Sequence, residues 1–459
     1  MVKTRSSSLL TGITIVLIIC CFGMLAHGKY GGGSGEPNDP YLINDANHMQ
    51  AIGADSNDWD KHFKLGEDID LSAYTGEEFN IIGYKTLDPY ENWPFTGVFD
   101  GNGHTISNFT YDSNVANDIG LFGYVNDPNA KIKNLGLSDT NVTIERGYNI
   151  GSLVGEIHNG DIIGCFAVGG SINGGMDTGG LGGLVGTNRG ATISDCFADV
   201  AVTADVFGIA AGGLVGYNVE GIITRCSATG DVVGNAAGGL IGELGKGYVS
   251  DCYAGGDVYG SSSFSSNTGG LVGEVVNADI SNSHSSGDVH GHDDVGGLVG
   301  KIAGPQVEVS NCYSTGDVNG TRYTGGFVGR NIGLILDCYS VGNVLGIEQV
   351  GGLVGQNSDN GTYAGIITNS YWDTEISGEP NMCGYQGPNA TGCDNIYGKN
   401  TAQLHQQSTF TDWDFINVWD IGENQTYPYL RTVSPGDINK DHITNLLDIR
   451  ILCDQWLQE

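Results

Sequence analysis

The sequence predicts an all-β protein whose chain winds into a parallel, right-handed β-helix, or solenoid, with a small α-helical calcium-loop module at its C-terminus. Three observations predict this class: a glycine-rich block that recurs every 26 to 32 residues, a β-prone signature after each block, and 76 glycines among 459 residues. Glycine-rich chains without a G-X-Y period are not collagen. A hydrophobic content of 39% is enough for a packed core.

The recurring block reads Gly-Gly-Leu-Val-Gly, and about ten residues later comes Ile or Val, two mostly polar residues and Cys. The blocks end at Gly123, Gly155, Gly186, Gly216, Gly242, Gly273, Gly300, Gly329 and Gly355. A unit this short cannot bury its own apolar face, whereas stacked units can, with strands about 4.8 Å apart. A β-propeller needs about 40 residues and four strands per blade. The short unit therefore favours one solenoid coil per repeat.

The cysteines of the second signature are predicted to form a file along the solenoid axis. They are Cys165, Cys196, Cys226, Cys252, Cys312 and Cys338. They are interpreted as small buried hydrophobic residues. Disulfides within the file and metal binding are the alternatives, and the strained geometry of parallel side chains counts against the disulfides. Cys383 and Cys393 flank a Gly-rich loop and suit a disulfide in an oxidising compartment.

The N-terminus has the pattern of a signal peptide over residues 1–28. Lys3 and Arg5 precede an apolar run from Leu9 to Leu25, and small residues follow it. A membrane anchor is the alternative, although the run is short for a span. No other stretch approaches membrane length, so the mature chain is expected to have no membrane span.

The remaining chain divides into four predicted parts. Residues 29–110 form an N-terminal cap and the first coils, including a short helix from Asp45 to Gly53, and residues 111–375 form the repeat solenoid. Residues 376–432 form an aromatic-rich C-terminal cap, and residues 433–459 form the calcium loop and helix. In a secreted protein the clustered aromatic residues favour a hydrophobic cap, with a sugar-stacking platform as the alternative.

The charge of the chain restricts its partners. Its 53 acidic and 19 basic residues give a formal net charge of −34. Such a surface repels nucleic acid and anionic lipid and favours solubility and cation binding. We therefore expect no nucleic-acid partner.

At residues 40–431 the chain resembles proteins with the GLUG motif, found in bacterial surface proteins. The segments PYLI, DIDL, FTGVFDGNGHTI, the Gly-Leu-Val-Gly blocks, SYWDTE and YPYL occur in the expected order. The resemblance implies a β-solenoid at or beyond the cell surface. The motif also accompanies IgA-specific metallopeptidases, but the zinc motif H-E-x-x-H is absent here, so that activity is not carried over.

The C-terminal segment carries oxygen ligands at EF-hand spacing. The predicted Ca²⁺ ligands are Asp437, Asn439, Asp441, the carbonyl of Ile443, Asn445 and Asp448. Apolar residues from Ile449 to Leu457 then share one helix face. The segment resembles one repeat of a dockerin type I module, which implies a cohesin-like partner. It departs from that family in having His442 at the turn position and one repeat where two are usual. An acidic tail without metal is the alternative.

Two functions are compatible with these features. The first is a secreted or cell-surface, non-catalytic, adhesin-like or scaffold protein that binds polysaccharide or a surface partner. The second is a polysaccharide-active β-helix enzyme, a lyase or a glycoside hydrolase, with a dockerin-like tail. An enzyme would need convergent carboxylates in a cleft, whereas the Asp residues of the repeats recur periodically. The periodicity favours the non-catalytic protein.

Overall fold

A computed structural model describes residues 28–86, 92–205, 210–261 and 266–431. Over these ranges the chain is a parallel β-solenoid of about ten turns with few helices. The predicted all-β, parallel architecture is confirmed. The handedness of the coils and the predicted domain boundaries stay predictions.

Three parallel sheets run along the solenoid, and we number them in the order in which their first strands occur along the chain. Sheet 1 contains Tyr41–Ile43, His62–Leu65, Val98–Asp100, Phe122–Lys133, Val154–Ile163, Val185–Asn188, Thr192–Ser194, Val215–Asn218, Ile222–Thr224, Ile241–Ser250, Val272–Ser281, Val299–Ile302, Glu308–Ser310, Val328–Asn331, Leu334–Leu336, Val354–Asn357, Ile366–Thr368 and Cys383–Gln386. Sheet 2 contains Ile69–Asp70, Thr105–Ser107, Thr110–Ser113, Gly136–Ile144, Phe166–Gly174, Phe197–Ala204, Ser227–Ala228, Val232–Gly234, Tyr253–Ala254, Val258–Gly260, His284–Ser285, Val289–His290, Tyr313–Ser314, Val318–Asn319, Tyr339–Ser340, Val344–Leu345, Tyr371–Asp373 and Gly398–Lys399. Sheet 3 contains Gly147–Gly151, Thr178–Gly182, Ala210–Gly212, Ala236–Gly238, Asn267–Gly269, Val295–Gly296, Arg322–Gly325 and Glu348–Gly351.

The short remaining elements lie near the two ends of the chain. The helices are Ala46–Ala54 and Thr401–Leu404, with 3₁₀ turns at Ser56–Asp58, Asn395–Tyr397 and Gln407–Thr409. Trp419–Asp420 and Tyr429–Leu430 form the one antiparallel strand pair among the named strands. Because each repeat supplies only short β-prone pieces, local structure is set mainly by stacking on the neighbouring coil.

Equivalent residues of successive repeats are in register. Val154 pairs with Val185, Val185 with Val215, and Val215 with Ile241. In each repeat the two glycines of the block lie in or beside sheet 3, Val and the following residues in sheet 1, and the segment after the Cys in sheet 2. Identical side chains therefore stack along the axis, as the repeat predicts.

The six cysteines of the second signature are buried free thiols, which supports their interpretation as small core residues. Each thiol sulfur lies within hydrogen-bonding distance of two carbonyls, one two residues earlier and one on the preceding coil, and its single proton is shared between them: Cys196 Sγ lies 3.2 Å from Ser194 O and 3.7 Å from Ile162 O. Where the file carries Ser283, its hydroxyl donates to Ser281 O at 2.7 Å. The Ser hydroxyl thus makes the same contact with the carbonyl two residues earlier as the Cys thiol does.

A short helix lies at the N-terminal end of the solenoid and a disulfide near the C-terminal end. Helix Ala46–Ala54 buries Met49 and Ile52, and the Asp45 side chain accepts a hydrogen bond from the backbone N–H of His48. This confirms the predicted N-terminal helix. At the other end Cys383 and Cys393 form the predicted disulfide.

Candidate binding surface

One file of side chains on sheet 1 is polar along the whole repeat region, and we call it the polar file. Its members pair coil by coil in register: Tyr124, Glu156, Thr187, Tyr217, Glu243, Glu274, Lys301, Arg330, Gln356 and Tyr385. Each residue follows the last glycine of its block, or the residue equivalent to it. The file is buried as far as Thr187, half-buried from Tyr217 onward, and exposed at Tyr385.

A second set of residues faces the polar file, and we call it the left-handed column. Its members have φ between 46° and 67° and precede the Gly pairs or their equivalents: Asp118, Asn149, Gly180, Asp294, Tyr323 and Gln349. The last glycine of each block permits the close approach of the two sets. A Cβ on Gly329 would lie 2.5 Å from the carbonyl carbon of Asp294, and one on Gly355 would lie 2.3 Å from that of Tyr323. The two sets lie side by side and form a polar strip on the N-terminal and C-terminal coils of the repeat region.

The N-terminal part of the strip contains a charged cluster around Glu156, whose side chain is 0% exposed. Its Oε1 accepts from Lys85 at 2.7 Å, from Arg189 at 3.0 Å and is bonded to His158. Its Oε2 accepts from Asn149 at 2.6 Å. Both carboxylate oxygens are therefore engaged by the chain itself.

Two carboxyl groups in this cluster have pKa values shifted in opposite directions. Burial raises the pKa of Asp118 to about 6, although a hydrogen bond from Asn149 opposes the shift. Burial also raises the pKa of Glu156, but hydrogen bonds from His158 and Lys85 and the charge of Arg189 outweigh it and bring the value to about 2. Such a split is typical of acid–base pairs in enzymes, but complete burial leaves Glu156 no contact with a substrate.

The C-terminal part of the strip is more exposed. Lys301 Nζ lies 2.8 Å from Glu274 Oε1, and Asn267 donates to Glu274 Oε2 at 2.7 Å. Arg330 Nε lies 3.0 Å from Asp294 Oδ1. The guanidinium of Arg330 also lies 4.3 Å from the centre of the Tyr323 ring. Charged, amide and aromatic groups therefore converge here on a half-buried surface.

Carboxylates also form a ladder at a corner of sheet 2. Asp231, Asp257, Asp288 and Asp317 each accept a hydrogen bond from the backbone N–H of the equivalent residue on the next coil, at 2.8 to 3.0 Å. These carboxylates satisfy exposed backbone groups of the stack. Among the described residues, no group of three or more His, Cys, Asp or Glu is arranged to hold a metal ion.

The aromatic-rich segment packs laterally on sheet 2. Trp419 is 0% and Trp413 6% exposed. Trp419 lies 6.1 Å from both Tyr313 and Tyr339, measured between ring centres, and the Tyr339 hydroxyl donates to Pro428 O at 2.5 Å. Buried indole rings cannot stack on a sugar. The geometry therefore supports the predicted hydrophobic cap over the sugar-stacking alternative.

The predicted calcium ligands lie outside the described residues, which end at Arg431. This applies to Asp437, Asn439, Asp441, Ile443, Asn445 and Asp448, so the calcium loop and its helix stay predictions. The predicted signal peptide also lies outside the described residues, except for Gly28. In the ranges that are described, no helix is long and apolar enough to span a membrane.

Comparisons with known proteins agree with the repeat pattern. The family model of the GLUG motif matches residues 177–203, 207–233 and 264–289, which confirms the predicted GLUG repeats. A 165-residue stretch is 36% identical to halomucin of Haloquadratum walsbyi, covering 36% of this chain and 2% of that protein. A 135-residue stretch is 32% identical to a "Putative Gly-rich membrane protein" of Evansella cellulosilytica, covering 29% of this chain and 15% of that protein. The chain thus spans a small part of either relative.

A solved structure is also similar in outline. The crystal structure of a "putative immunoglobulin A1 protease" from Bacteroides ovatus aligns over 88% of this chain and 96% of its own, with 19% identity and a TM-score of 0.42.

Sequence reasoning missed the polar strip. Tyr323, Arg330 and Asp294 belong to it, yet each differs in type from its equivalents on the neighbouring coils. Reading the position that follows each Gly-Leu-Val-Gly block as one column of the stack would have found the polar file. The left-handed column carries no comparable signal, because it depends on backbone angles.

Proposed function

We propose that this protein is a secreted or cell-surface, non-catalytic, adhesin-like or scaffold protein that binds polysaccharide or a surface partner. The observation that carries the proposal is the stack of about ten coils with a continuous polar file along one side. Such a stack presents an extended surface, typical of repeat proteins that bind elongated partners. The names of the two relatives, halomucin and a Gly-rich membrane protein, support a location at the cell surface.

The test combines binding and turnover on the full chain. A glycan array and pull-downs on insoluble cell-wall polysaccharide would be run with reducing-sugar release measured in the same samples. We expect retention without release. Sugar release that grows with time would contradict the non-catalytic proposal and support the polysaccharide-active enzyme. Absence of binding to glycans and to intact cells would contradict the adhesin-like function.

The polysaccharide-active enzyme is the alternative, and it can be tested at Glu156, although that buried carboxylate is engaged by the chain itself. Substitution of a catalytic carboxylate abolishes turnover without loss of the fold. Because Glu156 is bonded to Lys85, Arg189 and Asn149, we expect Glu156→Gln to lower the thermal midpoint instead. A stable variant that loses sugar release would favour the enzyme.

We further propose that the C-terminal loop binds one Ca²⁺ through Asp437, Asn439, Asp441, the Ile443 carbonyl, Asn445 and Asp448. The support is the spacing of hard oxygen ligands, which Ca²⁺ prefers. Calorimetric titration of the full chain should show a site that is lost in the double variant Asp437→Ala/Asp441→Ala and kept in Asp231→Ala/Asp257→Ala. Equal heats from both variants would contradict the loop assignment. A cohesin-like partner would then be sought with and without Ca²⁺.

A further inference from the structure

The two ends of sheet 1 differ in how their outermost strands are paired. The first strand, Tyr41–Ile43, is bonded on its outer side by the glycine segment that precedes it. There Gly31 N–H donates to Leu42 O at 2.8 Å, and Leu42 N–H donates to Gly32 O at 2.9 Å. The last strand, Cys383–Gln386, pairs with the strand of the preceding coil and with no other named strand. Among the described residues, sheet 1 therefore ends in an open edge on its C-terminal side.

The hydrogen bonds of the preceding coil show which backbone groups of this edge are open. Val354 N–H donates to Met382 O on the last coil at 3.0 Å. Cys383 is opposite Val354 in the parallel register, and two residues later Tyr385 occupies the same edge. Because alternate residues of a strand direct their backbone groups to opposite edges, the N–H and C=O groups of Cys383 and Tyr385 point away from the solenoid. Within the described ranges, neither N–H has a hydrogen-bond acceptor.

The open edge is exposed to solvent. Three of the four residues of the preceding strand, Val354–Asn357, are buried, whereas three of the four residues of Cys383–Gln386 are exposed. Tyr385 is 45% exposed, and Ile396 on the same coil is 66% exposed. An exposed, unpaired strand edge is a template for pairing with another strand. Apolar side chains on the same coil add buried area to such a contact.

The last coil is nearly uncharged, which permits contact with a second copy of the chain. Two copies repel each other, because each carries a net charge of −34. Residues 381–393, which contain the edge, have no charged side chain. Residues 377–400 add only Glu379, Asp394 and Lys399. Two copies that meet at this coil therefore place little like charge in contact.

A second copy also supplies a matching edge. Strand pairing needs an open edge on both partners, and the N-terminal edge of sheet 1 is already bonded. In a two-fold arrangement the edge faces itself in antiparallel orientation, with Cys383 of one copy opposite Tyr385 of the other. Each such pair exchanges two backbone hydrogen bonds, so that the contact forms about four. The arrangement is closed and stops at the dimer.

We propose that two copies of this protein form a dimer through the exposed edge Cys383–Gln386, which joins the C-terminal ends of the two solenoids. The inference goes beyond the proposed binding function and does not depend on it. The dimer carries two polar files, and two linked surfaces bind an extended partner more tightly than one surface does.

The test is sedimentation equilibrium of the full chain over a range of protein concentrations. We expect a monomer–dimer equilibrium that shifts toward the dimer as salt is added, because the contact is uncharged and salt screens the repulsion between the chains. Tyr385→Lys should raise the dissociation constant of the dimer about tenfold or more, because a charged side chain on an exposed edge opposes strand pairing. Tyr385→Pro should have the same effect by removing one open N–H.

Tyr148→Lys is the matched control, since Tyr148 is 50% exposed and lies in strand Gly147–Gly151 of sheet 3, many coils from the edge. It should dimerise like the natural chain. The thermal midpoint of each variant, measured at a concentration where the natural chain is monomeric, shows whether its fold is intact.

A natural chain that stays monomeric at every concentration would overturn the inference and leave the binding function standing. A dimer that persists unchanged in both folded Tyr385 variants would overturn the edge as the contact. Dissociation of the dimer on addition of salt would contradict an uncharged contact.

Discussion

At the scale of single residues, the positions of the cysteine file require a small side chain that can donate a hydrogen bond. Cys226 Sγ lies 3.3 Å from Thr224 O and 3.6 Å from Ile193 O. Ser370 makes the equivalent contact, from its hydroxyl to Thr368 O at 2.9 Å. A side chain that is small and able to donate therefore satisfies this position.

We predict that Cys226→Ser costs about 1 kcal/mol or less, because the hydroxyl can replace the thiol at the same carbonyls. Cys226→Leu should cost about 1–3 kcal/mol, because two extra methylene-sized groups overpack a site that is 0% exposed. Thermal and urea unfolding of both variants checks the order. A serine variant less stable than the leucine variant would contradict the hydrogen-bonding role.

Which residues stack in this file could be predicted from the sequence, because the same residue type recurs at a fixed offset in each repeat. The strained position of Tyr323 could not, because its φ is imposed by the path of the neighbouring coils and not by its own preference. The pairing of Cys383 with Cys393 was predictable, because the two residues close one short Gly-rich loop.

At the scale of elements, the last glycine of each block sets the distance between sheets 3 and 1. A Cβ on Gly186 would lie 2.3 Å from the backbone nitrogen of Ile150 and 2.4 Å from the carbonyl carbon of Asn149. Real Cβ atoms do not approach backbone atoms this closely, so the strands would have to separate.

We predict that Gly186→Ala lowers the free energy of unfolding by about 3 kcal/mol or more, in the range of strong overpacking. Gly245→Ala is the matched control, since its nearest contact would be Val219 O at 3.3 Å and its φ is not positive. The control should change stability by less than about 1 kcal/mol. Chemical unfolding followed by circular dichroism measures both, and equal losses would contradict the spacing role.

The C-terminal cap gives a second prediction at this scale. Trp419 is fully buried against sheet 2, and we expect Trp419→Ala to cost about 3–5 kcal/mol through the cavity it leaves. Ile416→Ala, at a side chain 84% exposed, should be nearly neutral. The Trp419 variant should also increase binding of a hydrophobic dye. Unchanged dye binding and stability would mean that the cap does not protect the sheet.

At the element scale, the sequence predicts elements whose pattern is local. It does not predict contacts that depend on packing between distant residues. Helix Ala46–Ala54 could be predicted because Met49 and Ile52 are at helical spacing. The lateral docking of Trp413 and Trp419 on Tyr339 could not, because residues far apart in sequence form that contact. Composition alone therefore left the cap and the sugar platform as alternatives.

At the scale of the whole molecule, the repeat period fixes the architecture, since units of 26 to 32 residues must stack to bury their apolar faces. Burial raises the pKa of Asp118, Asp294 and Asp337 to about 6 and also raises that of Glu243 and Glu379. These groups link the stability of the solenoid to pH.

We predict that the protein is more stable at about pH 5 than at about pH 7. Burial raises the pKa of Asp118, Asp294 and Asp337 to about 6, against an ordinary value of 3.8. As the pH falls through 6, the folded chain binds protons that the unfolded chain binds only near pH 4. The free energy of unfolding therefore rises over this interval. Protonation also reduces the self-repulsion of a chain with net charge −34.

Below about pH 4.5 the trend reverses, because Glu156 has a pKa of about 2 when folded and an ordinary value of 4.5. Its stabilising contribution is present above pH 4.5 and is lost as the pH falls toward 2. Thermal midpoints at constant ionic strength should therefore peak in mild acid.

Asp118→Asn should raise the midpoint at pH 7, with a gain in the free energy of unfolding on the order of 2 kcal/mol at most, and should reduce the rise between pH 7 and 5. Asn suits the positive φ there and its carbonyl can still accept from Asn149. His284 opposes the rise, because burial lowers its pKa to about 3 and the unfolded chain alone binds that proton between pH 7 and 5. A change between pH 7 and 5 that is the same in Asp118→Asn as in the natural chain would show that Asp118 does not contribute to it.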